Sequence, residues 1–320
     1  MPFKQALRWH RPGSNDPMTY FIDLRAESAG GNPVASVTDI VIRTDAQPNP
    51  NPSTPLGPGM IQAMQGRDVL LGTHGFHVNR DNGISNLSHW SEWLQIGANG
   101  FFIGVLWPGD ARWVPFIDYP VEGDEAIKSG QLLAQYLVAN FSGANSLSFA
   151  SHSLGARMVL ETIRNLSNSF KLKSVTLMAG AIDDTCLSNE YKDAAAKMSK
   201  VSVLASSCDD VLKWAFPAGN LASGIVTRGD PYWKGALGRY GPNPPNQPAS
   251  LYQTPILPDS WQFGHGSYIN CSGPVVGPPG ESGPFYPPPA VVPVPGTPKP
   301  SGDLNWQQAW AAGFVSTRFA

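Results

Sequence analysis

Residues 147–157 read Leu147-Ser148-Phe149-Ala150-Ser151-His152-Ser153-Leu154-Gly155-Ala156-Arg157. An apolar strand runs into Ser151-His152-Ser153-Leu154-Gly155, and a helical stripe of Ala156, Val159, Leu160 and Ile163 follows at once. A serine on so abrupt a strand-to-helix turn needs small neighbours two residues before and after it, because the backbone doubles back there. Ser151 and Gly155 meet that need, although glycine is the usual residue at the first position. Ser153 then lies where helix amides and the positive dipole end favour developing negative charge. The plainer reading makes Ser153 a helix N-cap, a common place for serine.

The same alternation extends outward from this turn. Met18–Leu24 and Val37–Arg43 read as an antiparallel pair of strands. Val69–Thr73, Phe101–Trp107, Ser146–Ala150, Ser174–Met178 and Val201–Ala205 read as short buried strands. Helical stripes lie between them: Leu87, Trp90 and Leu94, then Ala126 to Leu137, then the stripe after Ser153. Strand and helix in turn predict an α/β fold, a mostly parallel central sheet with helices on both faces. Functional groups belong at the carboxyl ends of such strands.

A serine nucleophile needs a base, a group that orients the base, and donors for an oxyanion. Thr73-His74-Gly75-Phe76-His77 leaves a strand where the backbone N–H of Phe76 can supply one donor, with Leu154 giving the second. His74 and His77 also have a bland reading as loop braces, and their His-x-x-His spacing lacks a third metal ligand. No metal or cofactor is expected. Two carboxylate positions compete for the orienting role. Asp209 leaves the strand ending at Ala205 and is the first choice, with Asp210 capping the helix after it; Asp183 follows the preceding strand. His265, on the glycine-flanked loop Phe263-Gly264-His265-Gly266, is the histidine downstream of both Ser153 and Asp209 and completes the order Ser, Asp, His. His152 sits inside the turn and is read as pointing away from Ser153.

These residues resemble the α/β-hydrolase superfamily, and within it the bacterial α/β-hydrolases of unknown function catalogued as DUF900. The likeness rests on His74-Gly75-Phe76 with Val78-Asn79-Arg80, on Ser151 to Arg157, on Ser206 to Leu212, and on His265-Gly266-Ser267-Tyr268. It covers roughly residues 65–270 and implies an α/β-hydrolase fold with a Ser153, Asp209, His265 triad. The expected activity is cleavage of a small to medium uncharged carboxylic ester through an acyl-enzyme. An amidase or acyltransferase would use the same residues. A catalytically silent member would serve as a binding or scaffold protein instead. His77, Trp107 and Trp214 are candidates to line a substrate pocket.

The chain has 320 residues, and Lys+Arg 22 against Asp+Glu 24 gives a net charge of −2, which offers no basic field for nucleic acid. No apolar run is long enough to span a bilayer. Met1 to Tyr20 holds Lys4, Arg8 and Arg11 without an apolar stretch, so no secretory signal is read and a cytoplasmic location is expected. Three cysteines at wide spacing fit no disulfide framework. Residues 1–270 are expected to form the catalytic domain, with 213–262 read either as an aromatic cap or as ordinary core and loop. The segment 271–300 carries eleven prolines and two charges, Glu281 and Lys299, and reads as an extended arm able to recruit a partner. Trp306, Trp310 and Phe314 recur every four residues, so 301–320 is expected to dock as a helix. Oligomeric state has no reading in the sequence.

Overall fold

In the computed structural model the short apolar runs pair into one sheet. The residues described are 18–26, 32–76, 78–94, 99–109, 119–213, 235–245, 247–251, 257, 259 and 264–268. The arm 271–300, the aromatic helix 301–320, most of the expected cap, His77 and Trp214 therefore lie outside the described residues.

The strands are β1 (Tyr20–Asp23), β2 (Val41–Thr44), β3 (Asp68–Thr73), β4 (Gly100–Leu106), β5 (Ser146–His152), β6 (Leu172–Met178) and β7 (Lys200–Leu204). Among the described residues they form one sheet in the order β2-β1-β4-β3-β5-β6-β7. The β1–β2 pair is antiparallel and every other pair is parallel. β2 starts later than its apolar run suggests, because Val37–Asp39 closes a 3-10 turn. Ser36 Oγ donates to Asp39 Oδ2 at 2.8 Å there, a local side-chain bond that competes with the ladder.

The helices are α1 (Gly57–Met64), α2 (Arg80–Leu94), α3 (Tyr119–Asn140), α4 (Gly155–Asn165), α5 (Lys192–Lys197) and the single turn α6 (Leu237–Tyr240). Alternate side chains leave a strand on opposite faces. Val69, Leu71, Ile103, Val105, Leu147, Phe149, Val175 and Leu177 accordingly share one apolar cluster with residues of α1, α3, α4 and α5. Phe21, Leu70, Phe102, Leu106 and Ala150 form a second cluster with Ile84, Leu87 and Trp90 of α2. Helices thus cover both faces, as the strand–helix alternation requires. None of the described helices is long and apolar enough to cross a membrane.

Residues 250 and 257 lie alongside β7. Val201 N–H donates to Ser250 O at 2.9 Å, and Leu257 N–H donates to Ala205 O at 2.8 Å. α6 is wedged between the loops that follow β6 and β7: Gly238 N–H donates to Gly180 O at 2.9 Å, and Ser206 N–H donates to Gly238 O at 2.9 Å. A side chain at Gly238 would collide with the backbone of Ala179 and Gly180. Ala236 and Leu237 are buried in the main core, so this part of 213–262 belongs to the body of the domain.

Candidate active site

β3 lies between β4 and β5: the crossover from β3 goes to β4 on one side and the next, from β4, passes to β5 on the other, the kind of reversal at which α/β sheets place their sites, outside the carboxyl ends of the strands. Ser153 stands at that point. β5 ends at His152, Ser153 turns with φ of 53°, and α4 begins at Gly155. A positive φ is costly for a residue with a Cβ and persists only where its surroundings fix it. Here Ser153 N–H donates to Met178 O at 2.9 Å, while Ser153 O accepts from Ala156 and Ala181 N–H at 3.1 and 3.2 Å. The +2 position must be small: a Cβ on Gly155 would lie 2.5 Å from His74 O. At the −2 position Ser151 is fully buried, and its hydroxyl finds no partner among the described residues.

The loop after β3 presses directly onto this turn. A Cβ on Gly75 would lie 2.7 Å from Ser153 Cβ and 2.9 Å from His152 Nδ1. His74 is buried and locks the loop. Its Nδ1 bonds Gly75 O at 2.8 Å and its Nε2 accepts from Trp107 N–H at 3.4 Å, which assigns the proton to Nδ1. Trp107 Nε1 donates to His74 O at 2.9 Å, and the two rings stack with centroids 5.9 Å apart. Trp107, a candidate for the pocket, is fully buried against His74 and supports the loop. Phe76 follows with its ring partly exposed to solvent.

Charged residues that the sequence reading passed over hold the far side of the same loop. Asp23, fully buried at the end of β1, pairs with Arg43 Nε at 2.5 Å and Arg80 Nε at 2.8 Å. Arg25 donates from Nη1 to Val78 O at 3.0 Å and Trp107 O at 3.1 Å. A sequence signal existed: an aspartate ends the apolar run Tyr20–Asp23, and Arg43 sits in a strand otherwise built for burial.

His265 arrives from the loop Gly264–Tyr268. Its Nε2 lies 2.9 Å from Ser153 Oγ and its Nδ1 lies 2.8 Å from Asp209 Oδ2. Asp209 is fully buried, and Arg239 Nη1 donates to its carbonyl at 2.6 Å. The helix cap differs from expectation. Asp209 Oδ1, not Asp210, accepts the Leu212 N–H at 2.9 Å, and Asp210 lies exposed in the first turn. Asp183 sits in the loop after β6, bridged to Ala236.

The His152 ring faces the histidine loop. Its Nε2 donates to His265 O at 2.8 Å, and the two imidazole rings lie 4.9 Å apart. Burial lowers the His152 pKa to about 3, helped by the neighbouring His265 and His74, while the bond to the carbonyl works in the other direction. Tyr268 is fully buried near the His152 ring, its phenol pKa raised by burial and then by Asp209 and Cys208.

A mostly parallel, helix-flanked sheet with a serine on the turn after β5 defines the α/β-hydrolase class. Residues 59–228 match the family model described as alpha/beta hydrolase of unknown function (DUF900), and the chain belongs to that family. Two solved structures of phospholipase PlaB from Legionella pneumophila, one in complex with thio-NAD, are similar at 14% identity and a TM-score of 0.29. Each comparison covers 44% of this chain, and 37% or 39% of PlaB, so the chain spans well under half of that protein. No curated protein matches the sequence.

Proposed function

We propose that this protein is a serine hydrolase that cleaves a small to medium uncharged carboxylic ester through an acyl-enzyme. The observation that carries this reading is the unbroken chain from Ser153 Oγ to His265 Nε2 and from His265 Nδ1 to Asp209 Oδ2, at 2.9 and 2.8 Å. Ser153 Oγ attacks the ester carbonyl as its proton passes to His265 Nε2. Asp209 holds the imidazole with its proton on Nδ1 and stabilises the imidazolium. The N–H groups of Phe76 and Leu154 receive the oxyanion at the start of α4, where the helix dipole adds to them. Collapse breaks the bond to the leaving alcohol, which takes the proton from His265. Water then attacks the acyl-serine, giving its proton to His265, and the returning proton restores Ser153. A near-neutral chain and the partly exposed Phe76 ring at the mouth favour an uncharged acyl group. The arm 271–300 is proposed as a partner-binding segment separate from this chemistry.

The test is labelling by a fluorophosphonate probe, wild type beside Ser153→Ala. Labelling of the wild type alone supports the reading. An unlabelled, folded wild type overturns it.

A further inference from the structure

One imidazole that the acyl-transfer scheme does not use lies at the junction of three loops. The His152 ring has Gly75 of the loop after β3 on one side, within reach of a Cβ that glycine lacks. His265 and Tyr268 of the histidine loop lie on the other, with ring centroids at 4.9 and 6.2 Å. Ser153 follows it in the chain. Its Nε2 proton is committed to the main-chain carbonyl of His265 itself, so the bond fixes the backbone from which the His265 side chain springs. Among the described residues, the other hydrogen bonds of His265 are the two that would move during acyl transfer, to Ser153 and Asp209. A base held only by its reacting partners would drift when those bonds change. The His152 bond goes to the main chain and lies outside the path between Ser153 and Asp209, so it takes no part in the transfer.

We propose that His152 is a positioning residue: by donating from Nε2 to the His265 carbonyl it sets the His265 ring between Ser153 and Asp209. This rests on the reading of Ser153, His265 and Asp209 as a triad. The groups that face the ring are His265 and Tyr268 from the histidine loop, His74 and Gly75 from the loop after β3, and Asp209 through His265. An imidazolium at 152 would stand against the imidazolium that His265 must become, which is why a neutral ring suits the place.

The test compares His152→Phe, which fills the space without a donor, with His152→Gln, whose amide nitrogen lies as many bonds from Cβ as histidine Nε2. The readout is the second-order rate of fluorophosphonate labelling across pH. His152→Phe is expected to label tenfold or more slowly, roughly the loss that follows a small misplacement of a reacting group. The shape of its pH–rate profile is expected to change, since the imidazole that takes the serine proton is no longer held in the same place. His152→Gln is expected to recover most of the rate and the wild-type profile. Equal loss in both variants, or wild-type rate and profile in His152→Phe, overturns the proposal. A wild type that does not label, or a Ser153→Ala that does, fails the triad itself and is read separately. Should His152→Phe not fold, nitrogen NMR of the wild-type histidines decides. A neutral His152 protonated on Nε2 throughout pH 4–8 supports the role, and the Nδ1 tautomer or a titration in that range overturns it.

Discussion

Asp209 Oδ1 accepts the Leu212 N–H at 2.9 Å while Oδ2 of the same carboxylate bonds His265 Nδ1 at 2.8 Å. One side chain therefore starts a helix and anchors a histidine, and the two tasks can be separated. Asparagine keeps an oxygen for Leu212 and loses the anion beside His265. Asp209→Asn is expected to change stability by less than about 1 kcal/mol, since Asn and Asp cap about equally well. Its labelling or turnover is expected to fall about 10⁴-fold. Asp209→Ala loses the cap as well and should be less stable than Asp209→Asn by about 1 kcal/mol in urea unfolding. A crippled Asp183→Asn beside an active Asp209→Asn would move the acid to the loop after β6.

Gly75 has no room for even one methyl group, with Ser153 Cβ and His152 Nδ1 both closer than 3.0 Å to where it would sit. Gly75→Ala should cost about 1–3 kcal/mol by overpacking. Because the displaced groups are Ser153 and the ring behind it, labelling should slow by at least about tenfold. Unchanged labelling would show that the loop yields without disturbing the serine.

Ser151 buries a hydroxyl that finds no partner among the described residues. Deleting it removes an uncompensated polar group, so Ser151→Ala should leave the melting temperature unchanged or raise it, by up to about 1–3 kcal/mol of stability. A clear loss of stability would mean that the hydroxyl is solvated after all.

Asp23 is the carboxylate shared by Arg43 and Arg80 in a buried setting. Removing its charge strands those guanidiniums, and Asp23→Asn is expected to cost about 3–5 kcal/mol in chemical denaturation. Replacement at the exposed Asp210 should cost far less.

His152 also leaves a mark on stability. Its folded pKa is about 3, below the unfolded value of roughly 6.5. Between these values the unfolded chain binds a proton that the folded one refuses, so stability falls as pH drops from about 6.5 towards 3, by at most about 1.4 kcal/mol per unit. His152→Gln should show a shallower decline over pH 6.5–4. Asp68 acts lower on the scale. Burial opposes its charge, but Ser146, Asn145 and Lys173 more than offset that and lower its pKa, so its contribution persists until more acid pH.

The sheet was legible because each strand is a short apolar run bounded by polar or glycine residues, and parallel strands buried on both faces must look that way. The turn at Ser153 was legible through its small flanking residues, which answer a local steric demand. His152 and Trp107 were harder. Both are aromatic groups beside catalytic candidates, and only the partner across space distinguishes a brace from a pocket wall. The cap on Leu212 was assigned one residue late because Asp209 and Asp210 are alike in sequence and differ only in which one faces inward. The Asp23 cluster joins positions 23, 25, 43 and 80, and nothing local announces that three elements converge there.

The two margins of the sheet have a consequence for how copies of this chain meet. A long bare strand at a sheet margin invites a second chain to pair with it. On one side β7 is met at both ends, through Ser250 O and Leu257 N–H. On the other, β2 is only four residues long and turns the charge of Arg43 inward to Asp23. A newcomer strand would find a short ladder and a guanidinium already engaged. Among the described residues, the ionic cluster that steadies the loop beside Ser153 thus also blunts this margin of the sheet against pairing with a second strand.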